Sequence, residues 1–140
     1  TGRYQRERPG LAALALTTDG AFLTAYSNDY DFEGVFERQV EALGRPGDVL
    51  LGISTSGESG NVLRAVLKAR EMGLLTVGLC GSGGLLRGMA DFVLAVPSRD
   101  TALIQECHLA LEHSLALVVE ELLHGATGRP VQATTLTEVG

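Results

Sequence analysis

Short apolar runs alternate with segments of helical periodicity along most of this chain, and that alternation limits its fold more than any other feature. Leu11-Ala-Ala-Leu-Ala-Leu16, residues 49–53, Leu75-Thr-Val-Gly-Leu-Cys80 and residues 92–96 have the length and apolar content of buried strands. Between them, a short helix is expected over residues 21–27 behind an Asp19 cap. An amphipathic helix is expected over 32–43, with Val35, Phe36, Val40 and Leu43 on one face. Gly44-Arg-Pro-Gly47 stops it. Further helices are expected over 59–71, ended by Gly73, over a short stretch through Met89, and from an Asp100 or Thr101 cap to about His124. Strands separated by helices imply an α/β fold whose parallel sheet is covered on both faces. Residues 1–124 read as one domain. Residues 125–140 hold Thr, Gly and Ala with no apolar period, and read as a mobile tail or an arm on a neighbouring subunit.

In open parallel sheets, ligands bind beyond the carboxyl ends of the strands. Gly52-Ile-Ser-Thr-Ser-Gly-Glu-Ser-Gly-Asn61 lies at such an end and leads into a helix. Ser54, Thr55, Ser56 and Ser59 bring four hydroxyls within six residues, and Gly57 lets the chain turn. Hydroxyls and unpaired N–H groups at a helix N-terminus make a receptor for an anion. An ordinary strand-to-helix turn capped by Ser56 or Ser59 would use the same letters. No Gly-Lys-Ser/Thr follows, so this is not a Walker loop, and the dinucleotide fingerprint GxGxxG is absent. Donors without a lysine suit the monophosphate of a small metabolite. Asn28 and Asp29 fall at another strand-end position, as turn formers or as anchors for sugar hydroxyls. Gly81-Ser-Gly-Gly84 either approaches the ligand or makes a tight connection.

The last long helix carries Gln105, Glu106, His108, Glu112 and His113. At about 100° per residue, Gln105 and His113 are separated by roughly 80°, within one wide face. An imidazole, with an ordinary pKa of about 6.5, passes protons at neutral pH. The bland alternative is a solvated face plus a satisfied core histidine. One His and one Gln do not by themselves make a zinc site.

At 140 residues the chain can bury one real core. A net charge of −6 with no basic run excludes broad binding to a nucleic-acid backbone. No apolar run near the ~20 residues of a membrane span is expected, nor a signal peptide; the protein is expected in the cytoplasm, without a membrane partner. Cys80 and Cys107 lack CxxC spacing and read as free thiols in a reducing compartment. The first residue is Thr1 rather than methionine, so the chain is expected to be a piece of a longer protein.

Taken together, Thr1-Gly-Arg-Tyr4, Arg8-Pro-Gly10, Ser27-Asn-Asp-Tyr30, Gly52-Ile-Ser-Thr-Ser-Gly57 and Ile104-Gln-Glu-Cys-His108 with His113 resemble SIS (sugar isomerase) domains, and among them the bacterial phosphoheptose isomerases. The resemblance runs from the start of the chain to about residue 124. It implies a Rossmann-like, flavodoxin-type three-layer fold and a homotetramer with active sites shared between subunits. It implies conversion of sedoheptulose 7-phosphate to D-glycero-D-manno-heptose 7-phosphate, toward the heptose of lipopolysaccharide or related glycoconjugates. Ser54, Thr55, Ser56 and Ser59 would hold the phosphate, while Asn28, Asp29 and Arg3 would position the sugar. His113 matches the family's acid and Gln105 the glutamine beside it. The same two side chains share a zinc in several members, with a His and a Glu from an earlier helix.

That earlier helix bears the family's glutamate base. With the opening helices, the first strand and a Gly-Asn-Gly-Gly-Ser loop, it precedes the Thr-Gly-Arg segment in the family and has no counterpart in these residues. A polypeptide of these residues alone is therefore expected to be inactive, with apolar surface exposed on its sheet. Glu58 stands where relatives usually carry Asn, and is expected to point to solvent. A different class of SIS protein, non-catalytic and bound to a replication initiator or another regulatory partner, shares Arg8-Pro9, the Asp48-Val-Leu-Leu run and Ile-Gln-Glu. His113 tilts the reading toward catalysis, since a scaffold needs no proton donor there. A sensor that only binds a sugar phosphate would be expected to come with a DNA-binding module.

Overall fold

A computed structural model describes residues 4–5 and 7–125. The chain divides into two compact units: residues 14–109, and residues 1–13 with 110–140. In the first unit the elements are α1 (Gly20–Asp29), α2 (Val35–Leu43), β1 (Val49–Ser54), α3 (Gly60–Glu71), β2 (Leu75–Cys80), α4 (Leu86–Met89) and β3 (Phe92–Ala95), followed by the start of α5 (Thr101–His124). The three strands form a parallel sheet in the order β1-β2-β3. The expected α/β class with a parallel sheet is what the chain adopts.

Register matters most for function. Ser54 pairs with Cys80, and Cys80 with Ala95. All three strands therefore end on one line, and the loops that follow them leave from the same edge.

Local chemistry explains most element boundaries. Asp19 caps α1 by accepting the Phe22 N–H at 3.0 Å. Asp100 caps α5 through the N–H groups of Ala102 and Leu103. Gly73, at φ +78°, ends α3 while Leu74 N–H reaches back to the Ala69 carbonyl at 2.9 Å. The helix expected from residue 32 starts only at Val35. Asp31 takes the Gly34 N–H at 2.6 Å, and this side-chain turn competes with helical bonding.

One face of the sheet is covered by α3 and α4, with α2 packed on α3. Close approach needs glycines there: a Cβ on Gly52 would stand 3.1 Å from Val62, and one on Gly78 would stand 3.1 Å from Leu86. Val66, Cys80 and Leu86 form one buried cluster; Val40, Ala65, Ala69 and Leu74 form another. The opposite face of β1 is open, with Val49 61%, Leu51 40% and Ile53 43% exposed. Exposed apolar surface on the sheet was expected, whereas cover on both faces does not extend to this part of it.

The first expected strand does not form. Residues 11–15 form no regular structure, Leu16 begins a turn, and Leu14 is 64% exposed. A strand exists only through a hydrogen-bonded neighbour, and no described strand pairs with this run. Its last carbonyl, at Leu16, instead accepts the Gln39 amide at 2.9 Å, while the Leu16 side chain packs on the Val40 cluster.

The expectation of no membrane-length run also needs correction. α5, at 24 residues, is long and apolar enough to cross a membrane by length and composition, because few charges interrupt it. The core helix of a soluble protein passes the same test. Cys80 is buried and Cys107 half-buried, both as free thiols, and burial raises the Cys80 thiol pKa against the opposing charge of Arg87.

Thr76 and Asp91 lock β2 to the turn before β3. The Asp91 carboxylate accepts the Thr76 hydroxyl at 2.7 Å and the Thr76 N–H at 2.9 Å. Those bonds, the hydroxyl first, hold the Asp91 carboxyl below its ordinary value, with Arg70 adding to the effect. A depressed folded-state pKa stabilises above the ordinary carboxylate range, and the gain is lost as pH falls through the folded value. Asp91→Asn is therefore expected to lower the melting temperature at neutral pH and to flatten its decline between about pH 6 and about pH 3. Parallel melting curves for variant and wild type across that range would remove this role.

Candidate functional site: the hydroxyl loop at the strand ends

The loop after β1 is built from its own hydroxyls. Ser54 is 5% exposed, and its Oγ accepts the Gly57 N–H at 3.1 Å and lies 2.8 Å from Ser59 Oγ. Ser56 Oγ stands 3.4 Å from Ser54 Oγ and accepts the Glu58 N–H at 3.1 Å. Ser54 thus frames the loop, whereas Ser56 is exposed and Thr55 and Ser59 are half-buried. Among the described residues, no acceptor meets the N–H groups of Ser56, Ser59, Gly60 or Asn61. The last two belong to the first turn of α3, where intrahelical partners do not exist. The positive end of the α3 dipole adds to these donors.

The loop after β2 presses against this one. Gly57 is at φ +71°, and a Cβ there would stand 2.7 Å from the Gly83 carbonyl oxygen. Gly84 is at φ +94°, and a Cβ there would collide with the Ser56 carbonyl oxygen. Leu86 N–H donates to the Gly57 carbonyl at 3.0 Å, and Gly81 N–H to the Thr55 carbonyl at 3.0 Å. Only glycine tolerates both the conformation and the contact. The Gly81-Ser-Gly-Gly84 segment is therefore a structural clasp on the hydroxyl loop.

Two carboxylates border the site. Glu58 is exposed, as expected, and its Oε1 accepts the Leu85 N–H at 3.0 Å, which ties it to the start of α4. Glu33 approaches the first turn of α3: a Cβ on Gly60 would stand 2.9 Å from Glu33 Oε1. Both charges suit the helix ends they face and both oppose a bound anion.

Of the other expected residues, Asn28 and Asp29 close α1. Both are exposed, and the Asn28 amide donates to Asp29 Oδ1 at 3.0 Å. Gln105 is exposed on α5. His113, further along α5, belongs to the second unit, where its ring lies 6.0 Å from Tyr4 at 29° between planes. Arg3 and the tail over 126–140 lie outside the described residues. No group of three or more His, Cys, Asp or Glu suited to a metal occurs among the described residues.

A separate cleft of about 340 Å³ is lined by Tyr26, Tyr30, Glu37, Arg38, Glu41 and Arg64. Its charges satisfy one another: Arg64 binds Glu37 at 2.6 Å and Arg38 binds Glu41 at 2.7 Å. Nothing in it reaches the hydroxyl loop.

The partners of two residues escaped sequence reasoning. In the second unit, Glu120 is 1% exposed and accepts the Tyr4 N–H at 3.1 Å, the Gln5 N–H at 2.7 Å and Arg8 Nε at 2.8 Å. This carboxylate anchors the segment that carries Tyr4 beside His113. The only signal was an acid set among Val118, Val119 and Leu122. In the first unit, His108 is 3% exposed, with Nε2 3.2 Å from the Cys80 carbonyl oxygen.

The family model described as SIS domain matches residues 1–81. A phosphoheptose isomerase from Bradyrhizobium sp. is 55% identical over 123 residues, covering 87% of this chain and 62% of the relative. One from Campylobacter jejuni is 54% identical over 122 residues, covering 86% and 66%. Among solved structures, a phosphoheptose isomerase from Francisella tularensis superposes with a TM-score of 0.79 at 44% identity, covering 81% of this chain and 62% of that one. One from Neisseria gonorrhoeae gives 0.75 at 50% identity, covering 77% and 62%. The chain thus spans a little over three fifths of the length of these relatives. With the glycine-clasped hydroxyl loop on its parallel sheet and a family model matching more than half of its length, this chain belongs to the SIS domain family.

Proposed function

We propose that the protein bearing this chain isomerises sedoheptulose 7-phosphate to D-glycero-D-manno-heptose 7-phosphate, supplying heptose for lipopolysaccharide or a related glycoconjugate. The observation that carries the reading is identity above one half with relatives named phosphoheptose isomerase. The loop chemistry supports it. The unpaired N–H groups of Ser56, Ser59, Gly60 and Asn61, with the hydroxyls of Thr55, Ser56 and Ser59, suit a phosphate monoester, and Ser54 holds them in place.

Asn28, Asp29 and Arg3 take the sugar hydroxyls in this reading. A carboxylate base, outside these residues, removes a proton from C1 of the ketose. His113 gives a proton to the carbonyl oxygen at C2, and an enediol results. Return of the carbon proton to C2, with the O1 proton passing back to His113, yields the aldehyde. Gln105 orients the sugar oxygens. The protein works as a homotetramer with shared sites in the cytoplasm, which its free thiols suit.

A zinc shared by Gln105 and His113 is a further part of this reading. A catalytic zinc takes about three protein ligands, and Gln105 and His113 offer two. The described residues alone do not hold the ion, and no step above runs through it.

The direct test is incubation of the full-length protein with sedoheptulose 7-phosphate, with the product followed by NMR. Conversion is expected; tight binding without conversion would favour a non-catalytic SIS protein. His113→Ala in the full-length protein is expected to cut turnover by about 10²–10⁴-fold with substrate binding retained. Unchanged turnover would remove its acid role. Glu58→Gln keeps the acceptor for Leu85 and removes a charge beside the loop. It is expected to tighten binding of inorganic phosphate about threefold at low salt, the size of one screened charge several ångströms away. Calorimetry showing equal affinities would place that charge out of reach of the bound anion.

A further inference from the structure

The geometry points to His108 as a positioning residue that aims and polarises a phosphate-binding N–H on the hydroxyl loop, through two peptide groups in series. The inference rests on the phosphate reading of that loop. The Cys80 carbonyl can only accept, so His108 Nε2 carries the hydrogen and donates to it across 3.2 Å. The same peptide unit ends in the Gly81 N–H, which donates to the Thr55 carbonyl at 3.0 Å. The peptide that begins with the Thr55 carbonyl ends in the Ser56 N–H. Trans peptides set C=O and N–H antiparallel, and no peptide bond here is cis. Each bond in the series therefore points the next donor onward, and the last one, Ser56 N–H, meets no acceptor among the described residues.

Hydrogen bonds in such a chain strengthen one another, and burial keeps water from competing. His108 is 3% exposed and Cys80 fully buried. The Cys80–Gly81 link is also held on every side. Val96 N–H donates to the Cys80 carbonyl at 2.9 Å, and a Cβ on Gly81 would stand 2.7 Å from both Ile104 Cδ1 and the Thr55 carbonyl oxygen. The link therefore has little room to rotate, and a pull at one end reaches the other.

The other ring nitrogen strengthens the case. His108 Nδ1 is buried and has no hydrogen-bond partner among the described residues. An apolar side chain would fill the same space without leaving a buried nitrogen unpaired. What the imidazole supplies, and a hydrocarbon does not, is the donor at Nε2.

The test compares His108→Gln, whose amide nitrogen can reach the Nε2 position, with His108→Met, of similar shape but without a donor. In the full-length protein, His108→Met is expected to weaken inorganic phosphate binding about tenfold, and to raise the KM for sedoheptulose 7-phosphate by a similar factor with less change in kcat. His108→Gln is expected to stay within about threefold of wild type. Equal phosphate affinity in the two variants would overturn the inference, since a space-filling role separates them only by melting temperature. Should either variant fail to fold, ¹⁵N NMR of the wild-type imidazole decides. A hydrogen on Nε2 whose shift moves on saturation with phosphate supports the relay. A hydrogen on Nδ1, or a shift indifferent to phosphate, overturns it. If no form isomerises the sugar phosphate but phosphate binding still follows the donor at residue 108, the isomerase reading falls and the relay stands.

Discussion

Parallel pairing of β1 with β2 is the constraint from which the rest of the site follows. Because Ser54 lies opposite Cys80, the two following loops emerge side by side and in register. A slip of one residue would turn every strand side chain to the other face and would separate Gly57 from Gly84. The backbone bonds from Gly81 to Thr55 and from Leu86 to Gly57 continue the ladder beyond the sheet. The hydroxyl loop is thus held by main chain, and its exposed side chains and N–H groups remain available to a ligand.

A second kind of organisation governs residues 4–5, 7–13 and 110–125. There a single buried carboxylate, Glu120, gathers two backbone N–H groups and the Arg8 guanidinium. Burying a carboxylate without such donors would be costly, and removing one partner from such a pair commonly costs about 3–5 kcal/mol. The arrangement fixes the path of this segment, because Tyr4, Gln5 and Arg8 all bond the same carboxylate. Tyr4 comes to stack on His113 as a result of that path.

Much of this was legible in the letters, and the reasons differ by element. Residues 75–80 were read as a strand with the observed bounds because a β-strand flanked by glycines carries its own limits. Asp19 and Asp100 announced α1 and α5 because capping is a local bond between near neighbours. The hydroxyl loop was visible for the same reason. What stayed hidden depends on partners far along the chain. Residues 11–16 have a strand's composition but no strand to pair with. The start of α2 shifts because Asp31 bonds Gly34 before the helix can. Glu120 reads as an ordinary helix residue, and His108 as one member of a polar stripe, until folding brings Tyr4 and Cys80 to them, across 116 and 28 positions.

The open side of β1 has a bearing on how these residues behave in solution. Among the described residues no strand lies along its outer edge, and Val49, Leu51 and Ile53 stand out from one face. Unpaired backbone groups beside a row of aliphatic side chains form a template for another extended segment. The outer edge of β1, opposite the ladder that sets the loops in register, is therefore a surface prone to recruit a foreign strand, and crowding these residues together would favour sheet extension from molecule to molecule.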